Sequence, residues 1–318
     1  MGTQPTTISG RGAQIPATFP VSPFDRGNSL ALRIAETSIE MHAEDGVKLV
    51  LSGEVEAFAS ASDLCDVRIN VRRGHEHEMR VPRGKASFES GGLWSVFEEN
   101  RGRRFVFSSA KLGPVPYKSA WFDGDFRCGE VALYRGCFDA GHPTYPLEYP
   151  LDELLMIHRL ARGEGVEIHG VGVVDEVGRG HLFVGHSGAG KSTLARLWQK
   201  HPTALILSDD RIVLRQRAGR IWMHGTPWHG DAGIASPQAA PLYRTYLLEH
   251  GCRTELAGVS KGRAAAEFLA RCFVPHYSAD AMAFSLEFLE RVAQQTPCFA
   301  FRFLPDNSAV EVIRRAAE

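Results

Sequence analysis

Between residues 28 and 145, apolar and polar side chains alternate in short runs. The runs 30–34, 47–58, 67–71, 104–108 and 130–134 place every second side chain on one face, and turns rich in Gly, Pro and Asp separate them. That spacing predicts a mostly antiparallel β-rich domain. Tyr117, Trp121, Phe122 and Tyr134 fall in this region, but aromatic side chains on strands serve cores more often than grooves. No motif there attaches to chemistry. The first 25 residues lack the alternation and carry few large apolar side chains, which predicts a disordered arm.

Beyond a punctuated connector at 143–150, the pattern changes to α/β. Asp152 is expected to cap a helix reaching Gly163, with Leu154, Leu155, Ile157 and Leu160 along one side. The segments 166–174 and 181–184 read as paired strands, the second running into a glycine-rich stretch. A helix is expected from Lys191 to about residue 200, then a short buried strand at 204–207 ending in Ser208-Asp209-Asp210. A hairpin at 212–214 and 220–224 turns around Ala218-Gly219. Helical patterns run over 264–295, with Pro275 as a break, before a last strand at 298–303. The expected division is an arm (1–25), a β-rich domain (26–148) and an α/β domain (149–318).

The 318 residues are 44% hydrophobic and 23% charged, the balance of a soluble globular protein. A formal net charge of −1 supplies no field that would draw the whole molecule to nucleic acid or an anionic membrane. The basic residues Arg72, Arg73, Arg101, Arg103 and Arg104 read as solvated surface. Six cysteines without a C-x-x-C pair imply neither a zinc site nor a disulfide framework, and reduced thiols fit a cytoplasmic protein. No secretion signal is legible at the start, and no apolar run approaches the roughly 20 residues needed to cross a bilayer.

The candidate chemistry lies in Gly185-His186-Ser187-Gly188-Ala189-Gly190-Lys191-Ser192-Thr193, a full match to G-x-x-x-x-G-K-[ST]. Glycines let successive N–H groups point at phosphate oxygens, and the helix that follows adds its positive end. Lys191 is then placed for the β- and γ-phosphates, and the Ser192 hydroxyl for Mg²⁺. The apolar strand before the loop and the helix after it are the context that a P-loop requires. A carboxylate at the end of the strand beside such a loop is where a metal ligand belongs. Asp209 and Asp210 stand there, one suited to Mg²⁺ and the other to accepting a proton from an incoming hydroxyl. His169 lies at the end of the segment 166–168, before Gly170, on a strand that could pair beside the P-loop strand.

Taken together, Ile168-His169-Gly170, the loop from Gly185 to Ser192, and Leu207-Ser208-Asp209-Asp210 resemble the catalytic domain of HPr serine kinase/phosphorylase. That family shares a nucleotide-binding fold with ATP-dependent phosphoenolpyruvate carboxykinase. The resemblance covers about residues 150–318. The run from Met223 to Gly230 looks like a feature of its kinase-related branch, whose members sit in bacterial peptide-modification pathways; some resemble lasso-peptide kinases. Thr193 stands where HPr kinase carries an acidic residue, and the glycine-rich phosphorylase signature is not evident, which argues against HPr as substrate and against phosphorolysis. The resemblance implies an α/β domain of the HPr kinase/phosphoenolpyruvate carboxykinase type with ATP and Mg²⁺ as cofactors. It also implies Lys191 on the phosphates, Ser192 and Asp210 on the metal, Asp209 as base and His169 near the transferred group. Related kinases are often oligomers, which extends to a homo-oligomer here.

The expected function is an ATP-dependent kinase acting on a hydroxyl, with serine of a peptide or protein as acceptor. The run 225–230 is the candidate substrate-side lip. A small hydroxylated molecule as acceptor, or a nucleotide-dependent binding module without phosphoryl transfer, are the alternatives.

Overall fold

The computed structural model describes residues 28–61 and 64–317; the arm expected over 1–25 lies outside them. In the first part run β1 (Ser29–Ile34), β2 (Thr37–Ala43), β3 (Lys48–Leu49), β4 (Val67–Gly74), β5 (Phe88–Glu89), β6 (Trp94–Glu99), β7 (Gly102–Phe107), β8 (Lys118–Asp123), β9 (Cys128–Tyr134) and β10 (Pro143–Thr144). Among the described residues, eight of these form one sheet in the order β1-β2-β4-β9-β8-β7-β6-β5, while β3 and β10 pair separately. Alternation does the work expected of it. Leu30, Leu32 and Ile34 of β1 face the core and Arg33 faces solvent; Val67, Ile69 and Val71 of β4 do the same against Arg68 and Asn70.

The sheet is mostly antiparallel, as expected, with two exceptions: the pairs β2–β4 and β4–β9 are parallel, each needing the long connection that parallel pairing demands. One expectation fails for a physical reason. The strand expected at 47–58 survives only as β3. Gly53 adopts a positive φ of 64°, and Gly53–Phe58 winds into a 3₁₀ turn that buries Phe58.

The second part contains α1 (Leu151–Leu160), β11 (Gly165–Val174), β12 (Gly180–Val184), α2 (Lys191–Trp198), β13 (Leu205–Ser208), β14 (Arg211–Arg217), β15 (Arg220–His224), β16 (Ala239–Glu249), β17 (Glu255–Gly258), α3 (Lys261–Leu269), β18 (Cys272–Phe273), α4 (Ala279–Gln295), β19 (Cys298–Arg302) and α5 (Ser308–Ala317). The whole is a β-rich, mixed α/β architecture. Asp152 does not cap α1; it sits inside the first turn, buried, its Oδ1 accepting from the Glu153 N–H at 2.7 Å. The helix is buried on nearly every side, and Leu151, Leu154 and Leu155 join the core of the first sheet.

β11 is the organising strand. Its first half pairs with β14 and β18, and its second half with β12 and β13. From β12 through β11, β14, β15 and β16 the pairing returns to β12, so these strands close a ring. One side is covered by α3 and α4 through Phe268, Phe288 and Leu289. On the other, α2 and α5 contribute Leu194, Trp198, Val310 and Ile313. This arrangement brings the middle of β11, at His169-Gly170, and the ends of β12 and β13 toward the start of α2.

Candidate active site

β12 feeds directly into the glycine loop, and α2 begins at Lys191. Two glycines make the turn possible: Gly188 and Gly190 have φ of 80° and 94°, a region L-residues seldom enter. Gly190 is also pressed on by Phe303, whose ring would lie 2.8 Å from an added Cβ. His186, Ser187 and Gly188 form the exposed tip, while Ala189 packs inward and Ser192 and Thr193 are half-buried. The first turn of a helix offers N–H groups with no intrahelical acceptor, and here those belong to Lys191, Ser192 and Thr193.

Lys191 is nearly covered, at 7% exposure, and its ammonium curls into the loop. Nζ donates to the carbonyls of Gly185 at 2.9 Å and His186 at 3.0 Å. Burial lowers its pKa; the charge of Asp210 opposes this, while Arg211 and Arg271 add to it. A cation held against main-chain carbonyls, with only partial compensation, is a group with affinity left for an anion.

His169 and Asp210 meet across the sheet. His169 Nε2 donates to Asp210 Oδ1 at 2.8 Å, and the Gly170 N–H donates to the Asp210 carbonyl at 3.0 Å. Arg211 pairs with the other carboxylate oxygen. Burial alone would raise the Asp210 carboxyl; the hydrogen bond from His169 and the charges of Arg211, His169 and Lys191 outweigh it and hold the group below the usual carboxylate range. Asp210 is therefore an anion fixed in orientation, within electrostatic reach of the Lys191 ammonium.

Asp209 points elsewhere. It is 1% exposed, and its carboxylate accepts three main-chain N–H bonds, from Gly230 at 3.0 Å, Ala232 at 2.8 Å and Ile234 at 3.2 Å. Gly230 is needed there, because a Cβ would stand 2.9 Å from Asp209 Oδ2. The candidate lip 225–230 and the loop that continues to Ser236 are stitched to the same strand end by Thr226 Oγ1 donating to the Arg211 carbonyl at 2.8 Å and by the Ser236 N–H donating to the Leu207 carbonyl at 2.9 Å.

Among the described residues, no group of three or more His, Cys, Asp or Glu is arranged to hold a metal ion alone. A Mg²⁺ shared with phosphate oxygens needs only one or two protein ligands. The Ser192 hydroxyl at the start of α2 and the Asp210 carboxylate are hard oxygen donors of the right kind. Sequence reasoning missed Arg211, Glu153, Glu167 and Phe273, which surround the pair; the ionisable Glu167, two places before His169 in an otherwise apolar strand, was the available signal.

No family model matches this chain, and no curated protein sequence matches it. Among solved structures, the HPr(Ser) kinase/phosphatase from Coxiella burnetii is similar over 48% of this chain and 95% of that one, with 13% identity and a TM-score of 0.28. So distant a likeness decides nothing about activity.

Proposed function

We propose that this chain is an ATP- and Mg²⁺-dependent kinase that transfers the γ-phosphoryl group to a hydroxyl, with serine of a peptide or protein as acceptor. The observation that carries this reading is the approach of the His169–Asp210 pair to Lys191, at the mouth of a glycine loop that opens a helix.

Phosphoryl transfer asks for charge neutralisation and in-line placement more than for covalent chemistry. Amides of the loop and of the first turn of α2 take the phosphate oxygens. Lys191 exchanges its two carbonyl partners for the β- and γ-phosphates. Ser192 and Asp210 would hold Mg²⁺, which would supply positive charge to offset that of the phosphates. The acceptor hydroxyl gives up its proton to the imidazole of His169, whose Nε2–H is anchored on Asp210. Asp209, with its carboxylate occupied by three amides, fixes the lip instead of acting as base. On this reading residues 149–318 carry the chemistry and 26–148 form a β-rich domain whose core α1 helps to close. The protein acts in the cytoplasm as a homo-oligomer, without nucleic acid or membrane.

The test is incubation of the full chain with γ-labelled ATP, Mg²⁺ and a panel of serine peptides. Label appearing on peptide serine in wild type, and absent with Asp210→Asn despite retained nucleotide binding, is the expected result. Nucleotide binding with no label on any peptide or small hydroxylated compound would leave a binding module in place of a kinase.

A further inference from the structure

Behind the His169–Asp210 pair lies a group of carboxyls that the proposed chemistry does not use. Glu167 is on β11, directly opposite Val213 of β14, just as His169 is opposite Arg211, so all four side chains share one face of the paired strands. Its side chain is 0% exposed, and neither carboxylate oxygen accepts a hydrogen bond from an N–H or hydroxyl group among the described residues. Glu153 approaches from the first turn of α1. Arg211 stands among them. Its Nε donates to Glu153 Oε1 at 2.8 Å and lies 3.5 Å from Glu167 Oε1, while its NH1 pairs with Asp210. The guanidinium carbon sits 4.1 Å from the centre of the Phe273 ring.

Charge counting decides the state of this cluster. One guanidinium faces three carboxyl groups, Glu153, Glu167 and Asp210, with Asp152 close behind and the Cys272 thiol and Tyr149 phenol beside it. Asp210 is half-buried and also has His169 and the Lys191 ammonium facing it, but Glu153 and Glu167 share the one guanidinium. Two such anions held largely out of water would leave uncompensated charge, which costs several kcal/mol per ion. A proton on one acid removes the excess and turns a repulsive contact into a hydrogen bond. Glu153 is the better anion, since it sits in the first turn of a helix and accepts from Arg211. Glu167 has neither support. Burial first, and the Glu153 charge next, push its carboxyl well above the usual range, with Arg211 opposing only in part.

We propose that Glu153 and Glu167 form a hydrogen-bonded acid–carboxylate pair that holds Arg211 against Asp210, which makes all three positioning residues for the site. Phe273 supports the guanidinium from one face, so Arg211 has one available orientation, and that orientation fixes Oδ2 of Asp210. The effect on catalysis rests on the kinase reading; the pair itself does not.

Infrared difference spectroscopy on the full chain at neutral pH, wild type minus Glu167→Gln, tests the pair directly. The expected result is a carbonyl band of a protonated carboxylic acid present in wild type and lost in the variant; any band from Asp152 cancels in the difference. An unchanged carbonyl region means that Glu167 is ionised and overturns the proposal. Kinetics test the positioning. Glu167→Gln, whose amide N–H₂ donates the same bond, retains transfer close to wild type, whereas Glu153→Gln and Arg211→Gln lower kcat by about 10–100-fold at unchanged nucleotide KM. Equal loss in Glu167→Gln and Glu153→Gln, or wild-type kcat in Glu153→Gln, also overturns it. If wild type transfers no phosphate at all, the kinase reading fails while the infrared result still decides the pair.

Discussion

Asp209 accepts three main-chain N–H bonds and is closed to solvent, whereas its neighbour Asp210 presents a half-buried carboxylate to His169, Arg211 and Lys191. The two substitutions therefore part company. Asp209→Asn replaces an acceptor oxygen by an N–H₂ facing a main-chain N–H, so it loses at least one charge-assisted bond, about 1.5–3 kcal/mol of stability. Chemical denaturation of the variant checks this, and a loosened lip adds a rise in acceptor KM. Asp210→Asn keeps its fold and its nucleotide affinity but loses transfer, measured with labelled ATP. Loss of transfer in Asp209→Asn with stability and acceptor KM intact would return that residue to the role of base. Lys191→Met removes an ammonium already desolvated for its task. Nucleotide affinity should fall by about 1.5–3 kcal/mol, roughly 10–150-fold in Kd by titration calorimetry, with the loop otherwise in place.

At the scale of elements, the loop between β12 and α2 depends on two glycines for different reasons, and that difference is measurable. An alanine at 188 meets open space and bears only the left-handed backbone, about 1–2 kcal/mol. At 190 the same backbone strain is joined by a Cβ at 2.8 Å from Phe303, so Gly190→Ala should cost more than Gly188→Ala. Phe303→Ala in the Gly190→Ala background should recover the excess; a double-mutant cycle on unfolding free energies reads it, and additivity would remove Phe303 from the account. The same loop was legible from residues alone, because an apolar run, spaced glycines and an amphipathic run are all local signals. β16 was not. Its segment holds Pro241, and Arg244 and Thr245 interrupt any apolar run; Thr245 is buried because the strand pairs on both sides. Which member of the Asp-Asp pair faces the site was equally hidden. The turn at Ser208, whose Oγ accepts from the Asp210 and Arg211 N–H groups and donates to the Trp228 carbonyl, aims both carboxylates, and that turn is a product of the lip folding back. Glu167 acquires meaning only when α1 brings Glu153 to it.

Over the whole molecule, the first core is not sealed within the first sheet: α1, Val213 and Trp228 belong to it, and Arg215 ties β14 to the Ala35 carbonyl at 2.6 Å. Polar groups are trapped in that junction. Burial raises the Asp152 carboxyl to about 7, against an ordinary value near ~3.9. Burial lowers His158 to about 3, and the neutral ring donates Nδ1–H to the Leu154 carbonyl and accepts from the Tyr277 hydroxyl, both at 2.6 Å. The two act on stability with opposite sign. Asp152 is protonated when folded and ionised when unfolded over roughly pH 4–7, so its contribution is full below about pH 4 and is lost as pH rises through about 7. His158 is neutral when folded and charged when unfolded below about pH 6.5, so its contribution is present above that value and is lost as pH falls toward 3. Between about pH 4.5 and 6.5 each supplies up to one proton of slope, about 1.4 kcal/mol per pH unit, and they offset each other. Asp152→Asn deletes its own falling term and leaves the rising term of His158 in place. Its unfolding free energy, measured in urea across that window, should climb with pH more steeply than wild type, and His158→Gln should tilt the curve the other way. Parallel curves for all three proteins would mean that neither group is held in the charge state that its burial in the junction implies.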